Sequence, residues 1–116
     1  RDKLPLGNLD AFRDWGHSKD YVRAMHLIVN HTEPDDFVCA TGVTNSVGDM
    51  CEYVFNKLDL DYNDYVTVDE RFMRAEELKY LRGDSTKLRT TLGWKPEYTF
   101  ETLMDEMIDH WLEIYK

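Results

Sequence analysis

The chain has 116 residues, is 42% hydrophobic and 13% aromatic, and carries a net charge of -9 from 14 Lys and Arg against 23 Asp and Glu. That length suits one small domain, and that much apolar and aromatic content excludes a disordered chain. The negative balance excludes nucleic acid and anionic lipid as partners, and no apolar run of about 18 residues is present to cross a bilayer.

No secretory signal is visible, and the chain opens on Arg1 rather than Met, which reads as an excised piece of something longer. Cys39 and Cys51 lie in apolar surroundings and read as free thiols of a cytoplasmic protein. His17, His26, His31 and His110 do not stand at ligand spacing, so no metal is expected.

In chain order, residues 4 to 7 read as a short strand ending at Gly7. Ser18 suits the N-cap of a helix through "KDYVRAMHLIVNH", with Tyr21, Val22, Met25, Ile28 and Val29 on its inner side and Pro34 beyond its end. "DFVCATG" reads as a buried strand closed by Gly42. Asn45 or Ser46 caps a second helix whose apolar positions are Val47, Met50, Cys51, Val54, Phe55 and Leu58.

An acidic loop, Asp59 to Asp64, leads to "YVTVD", a third strand. Residues 71 to 82 are ambiguous, with "RAEELKYL" able to form a helical turn or two. Asp84 caps a short helix, "STKLRTTL", that Gly93 ends in a left-handed conformation before Trp94 and Pro96. Thr99 caps the last helix, where Phe100, Leu103, Met104, Met107, Ile108, Trp111, Leu112 and Tyr115 form one apolar stripe that needs a partner surface. The sum is an α/β (α+β) unit of about four helices and two or three short strands.

Three clusters compete as sites. "DLDYNDYVTVDE" sets Asp59, Asp61, Asn63 and Glu70 at calcium-loop positions, but Asp64 stands where that loop needs glycine, so a solvated acidic loop is the better reading. Tyr53 and Lys57 stand four apart, the spacing of a short-chain dehydrogenase acid/base pair; with no GxxGxxG turn for a nicotinamide cofactor, an amphipathic structural helix fits them better. Arg13, Arg71 and Arg74 follow strands or turns in an acidic chain, where a planar fork of donors suits a pyrophosphate and Asn8 and Glu77 could read hydroxyls or a base edge. The competing account is pairing with the many surface carboxylates.

"LGNLDAFRDWGHSKDYVRAM", "EPDDFVCATGVTNSV", "VDERFMRAEELKYLRGDSTKLRTTLGWKP" and "TFETLMDEMI" resemble, in order and over nearly the whole chain, the C-terminal part of the GDP-mannose 4,6-dehydratases of the extended short-chain dehydrogenase/reductase superfamily. The resemblance implies an enzyme that converts GDP-D-mannose to GDP-4-keto-6-deoxy-D-mannose on the way to GDP-fucose and related deoxysugars. In it NADP takes hydride from C4, water leaves across C5 and C6, and the hydride returns to C6.

On this resemblance residues 1–116 are the nucleotide-sugar-binding domain, the partner is an N-terminal Rossmann half, and GDP-mannose is the ligand. The catalytic tyrosine, lysine and glutamate and the NADP site belong to that half, leaving no catalytic or cofactor-binding residue here. Leu6 and Gly7 would offer backbone to the nucleotide, with Asn8 beside them. Arg13 would approach the pyrophosphate, Arg74 the diphosphate or ribose, and Glu77 the ribose or guanine. The family usually has proline where Glu70 and Ala75 stand, so the loop aiming Arg74 and Glu77 is looser here. The alternative is a stand-alone nucleotide-sugar-binding or assembly module from a split gene. An apolar face that would meet the Rossmann half also makes homo-oligomers plausible.

Overall fold

The structure, a computed structural model, describes residues 3–74 and 78–115. Ala75 and Glu77, both singled out above, lie outside the described residues. In chain order the elements are β1 (Leu4–Leu6), β2 (Phe12–Arg13), α1 (Ser18–Val29), β3 (Asn45–Ser46), α2 (Val47–Lys57), β4 (Val66–Val68), α3 (Thr86–Leu92) and α4 (Phe100–Ile114). The expected mixed α/β class holds, with four helices and four short strands among the described residues. No helix among them is long and apolar enough to cross a membrane.

The chain folds as two compact units, the first built from residues up to 13 and from 45 to 81, the second from 14 to 44 and from 82 onward. In the first, β1 and β4 pair in parallel with Leu4 opposite Val66 and Leu6 opposite Val68. β2 and β3 pair antiparallel, Phe12 opposite Ser46 and Arg13 opposite Asn45. Ser46 starts α2 with a full capping box: its hydroxyl accepts the Asp49 N–H while the Asp49 carboxylate accepts the Ser46 N–H, both at 2.9 Å. Cys51 is buried on the inner side of α2, and burial pushes its thiol up. The expected apolar positions of α2 are all buried or half-buried.

In the second unit, Ala24 of α1, Leu88 of α3 and Trp94 form the core, with Leu27, Ile28, Phe37, Cys39 and Leu92 packed against it. Gly93 ends α3 at φ +70°, and its N–H reaches back to the Arg89 carbonyl. Thr99 caps α4 by accepting the Thr102 N–H at 3.1 Å. Phe100 and Met104 are buried, whereas Met107, Trp111, Leu112 and Tyr115, the far end of the expected stripe, are exposed.

Three expectations are corrected here. α1 is capped one residue earlier than expected, by the His17 ring, whose Nδ1 accepts the Lys19 N–H at 3.0 Å. Its inner face is also turned: Asp20 and Ala24 are buried, while Val22, Met25 and Val29 are exposed. The reason is Asp20. A carboxylate normally marks the outer face, yet this one satisfies the backbone N–H groups of Glu97 and Tyr98 at 3.0 and 3.1 Å and so faces inward. Finally, "DFVCATG" is not a strand. Phe37 and Cys39 pack inward and Val38 points out, as in a strand, but among the described residues no strand of this unit offers a ladder to pair with.

Candidate functional site

The candidate residues Leu6, Gly7, Asn8, Arg13 and Arg74 all belong to the first unit. The parallel pairing of β1 with β4 brings the two strands to a common end, and the ladder continues past it as the Asp69 N–H donates to the Leu6 carbonyl at 2.7 Å. Asp69 then opens a tight 3-10 turn, Glu70–Phe72. The turn closes through the Phe72 N–H on the Asp69 carbonyl at 3.0 Å and the Met73 N–H on the Glu70 carbonyl at 3.1 Å. Arg74 follows directly and is exposed.

Gly7 sits against this turn. A Cβ built on it would lie 2.6 Å from the Phe72 carbonyl oxygen. Next to it the Asn8 carboxamide accepts the Asp10 N–H at 2.9 Å, an Asx turn that bends the chain away from β1. Strand and turn therefore meet at one place: Leu6, Gly7 and the segment entering Arg74.

Arg13 is half-buried on β2, where its Nη1 donates to the Phe12 carbonyl at 2.7 Å. Phe12 ties that strand to the segment after the undescribed residues. Its N–H reaches the Lys79 carbonyl at 2.6 Å, its carbonyl accepts the Leu81 N–H at 3.0 Å, and its ring lies 5.8 Å from that of Tyr80.

Arg71 lies within the turn itself. Its guanidinium grips the Asp69 carboxylate through Nε and Nη2, at 3.0 and 2.7 Å, while the same carboxylate caps the turn by accepting the Arg71 N–H at 2.9 Å. That side-chain bond, then the backbone one, holds the Asp69 carboxyl below the usual carboxylate range, and it raises Arg71 in turn. The sequence reading missed Asp69. The signal was present: an aspartate two residues before an arginine, after a β-branched strand, is an Asx cap waiting for its turn.

The rival clusters resolve locally. In the acidic loop Asp61 turns its carboxylate onto its own backbone, accepting the Asn63 N–H at 3.0 Å, and Asp59 takes φ +58°. Among the described residues no three His, Cys, Asp or Glu side chains are grouped to hold a metal. On α2 the Lys57 ammonium lies 5.9 Å from the centre of the Tyr53 ring, a cation-π arrangement of ordinary helix neighbours.

Asp14, the residue after Arg13, is expected from the sequence to wedge its loop against the start of α1 with Trp15; its hydrogen bonds run elsewhere. Its carboxylate accepts the Thr41 N–H and hydroxyl at 3.0 and 2.5 Å, the Gly42 N–H at 2.8 Å and the Gly83 N–H at 3.3 Å. It is a staple for three loops of the second unit. Trp15 beside it lies 6.1 Å from the Phe100 ring.

Against known proteins, the family model described as GDP-mannose 4,6 dehydratase matches residues 1–107. GDP-mannose 4,6 dehydratase 2 of Arabidopsis thaliana is 45% identical, across 98% of this chain and 31% of that protein. The human GDP-mannose 4,6 dehydratase is 40% identical, across 96% of this chain and 34% of its own. Among solved structures, RMD from Pseudomonas aeruginosa complexed with NADPH aligns at a TM-score of 0.83 with 22% identity, covering 97% of this chain and 36% of that one. A dTDP-glucose 4,6-dehydratase from Bacillus anthracis in complex with NAD aligns at 0.84 with 18% identity, covering 97% of this chain and 35% of that one, a likeness of fold alone. The chain spans about a third of the length of the curated relatives it matches. On the family match over residues 1–107, this chain belongs to the GDP-mannose 4,6-dehydratase family.

Proposed function

We propose that this chain is the C-terminal, nucleotide-sugar-binding part of a GDP-mannose 4,6-dehydratase, the cytoplasmic enzyme that converts GDP-D-mannose to GDP-4-keto-6-deoxy-D-mannose. The observation that carries the reading, beyond the family match, is the meeting of Leu6 and Gly7 with the turn that delivers Arg74. In a chain of net charge -9, a diphosphate needs such a local concentration of donors.

The division of labour follows from the side chains. Arg74 and Arg13 present planar forks to the diphosphate oxygens. The backbone at Leu6 meets the nucleotide, Gly7 and Asn8 stand beside it, and Glu77 accepts hydroxyl or base N–H groups. The NADP of the full-length enzyme supplies the hydride chemistry. The residues here do not fit that cofactor, because the sequence holds no glycine-rich strand–turn–helix to cradle its pyrophosphate.

Calorimetric titration with GDP and GDP-mannose tests the reading. Binding that weakens in Arg74→Ala is the expected result, and full-length protein that binds neither ligand overturns it. The 116 residues alone are expected to form no 4-keto product when supplied with NADP and GDP-mannose.

A further inference from the structure

Gly7 poses a question that its backbone does not answer. Its φ lies outside the left-handed region, unlike Gly42 and Gly93, so no backbone conformation demands glycine there. What demands it is proximity. A Cβ at this position would stand 2.6 Å from the Phe72 carbonyl oxygen and 3.2 Å from its carbonyl carbon, both backbone atoms. Neither can swing aside as a flexible side chain would, so any side chain at residue 7 displaces the Glu70–Phe72 turn as a body.

That turn has little freedom to absorb the push. Asp69, which caps it, donates its N–H to the Leu6 carbonyl at 2.7 Å, immediately before the glycine. Inside, the Asp69 carboxylate fastens both the backbone and the guanidinium of Arg71. Arg74 lies two residues beyond the carbonyl that Gly7 admits, so its reach depends on where the turn sits.

We infer that Gly7 is a positioning residue for Arg74: its missing side chain lets the Phe72 carbonyl close in, and this fixes where the Arg74 guanidinium meets a diphosphate. The inference rests on the nucleotide-sugar reading above and changes the part assigned to Gly7 within it. The glycine acts through the turn, not through backbone contact with the nucleotide.

A mutant cycle on the full-length protein, read by calorimetry with GDP, tests this. Gly7→Ala and Arg74→Ala are each expected to weaken GDP binding about tenfold, the worth of one charge-assisted hydrogen bond. The double variant is expected to bind no more weakly than Arg74→Ala alone, because Gly7 has nothing left to position. Losses that add in the double variant overturn the inference, since a glycine touching ligand by its own backbone, or one that merely loosens the fold, gives additive effects. Arg74→Ala without effect sinks both this inference and the underlying site. Arg74→Ala with effect beside an unchanged Gly7→Ala sinks this inference only. Should Gly7→Ala fail to fold, Asp69→Asn takes its place in the cycle, with non-additivity again expected and additivity again fatal.

Discussion

The indole N–H of Trp94 donates to the backbone carbonyl of Asp20 at 2.9 Å, with both residues 2% exposed. The pair joins the first turn of α1 to the chain just after α3. From the same position the Asp20 carboxylate receives two backbone N–H groups and, at 3.4 Å, the Arg23 guanidinium, so one buried residue satisfies four donors. Asp20→Asn keeps the volume but turns an amide NH2 toward a backbone donor. It is expected to cost about 1–3 kcal/mol in urea unfolding, and Trp94→Ala about 3–5 kcal/mol. Unfolding free energies unchanged in Asp20→Asn would show that those bonds add nothing net.

Two glycines of the second unit separate strain from crowding. Gly93 sits at φ +70° with open space around its Cβ direction, so Gly93→Ala is expected to cost only the left-handed penalty of about 1–2 kcal/mol. Gly83 has no such φ, but a Cβ there would lie 2.2 Å from the Ala40 Cβ. Gly83→Ala is expected to cost about 1–3 kcal/mol through overpacking. The double variant Gly83→Ala, Ala40→Gly should recover part of that loss, and no such rescue should be found for Gly93.

Acid should loosen two surface clamps. The hydrogen bond from His17 is the main cause that holds Glu106 below the usual carboxylate range, and the Arg71 side chain does the same for Asp69. Carboxyls held low in the folded state add stability that is present above the ordinary carboxylate range and is lost as pH falls through their depressed values. Glu106 is exposed and Asp69 is half-buried against the exposed Arg71, so the loss is small and salt-sensitive. Thermal midpoints followed from neutral pH into acid should fall less steeply for Glu106→Gln than for the parent protein; parallel curves would count against the pair.

The outer face of α1 is expected to respond differently in this chain alone and in the proposed full-length enzyme. Val22, Met25 and Val29 are exposed, at a spacing of three and four residues, on a helix whose other face is already buried. A helix apolar on two faces is one meant to be covered twice. The expected second cover is the N-terminal half of the proposed full-length enzyme. Met25→Lys is then expected to leave the isolated chain within about 0.5 kcal/mol of its parent and to lower the unfolding midpoint of the full-length protein clearly. Equal effects in both would remove that cover.

Much of this molecule was legible because its signals are local. The Ser46 cap, the Thr99 cap and the Gly93 stop each close within about four residues of chain, so spacing alone reveals them. The run from Leu4 to Gly7, the "VTV" strand and the apolar spacing of α2 are likewise patterns of side-chain period, and the ordered blocks named the family. Tertiary structure alone decided the rest. Asp20 faces inward because its donors lie 77 residues further along, and Asp14 staples a loop 69 residues away. "DFVCATG" has the alternation of a strand but no neighbour in its unit to make it one. Gly7 needs to be glycine because Phe72 arrives from the far end of the same unit. Periodicity and capping are properties of neighbours in sequence. Burial of a carboxylate, pairing of a strand and the approach of two backbones are properties of neighbours in space, which no local spacing encodes.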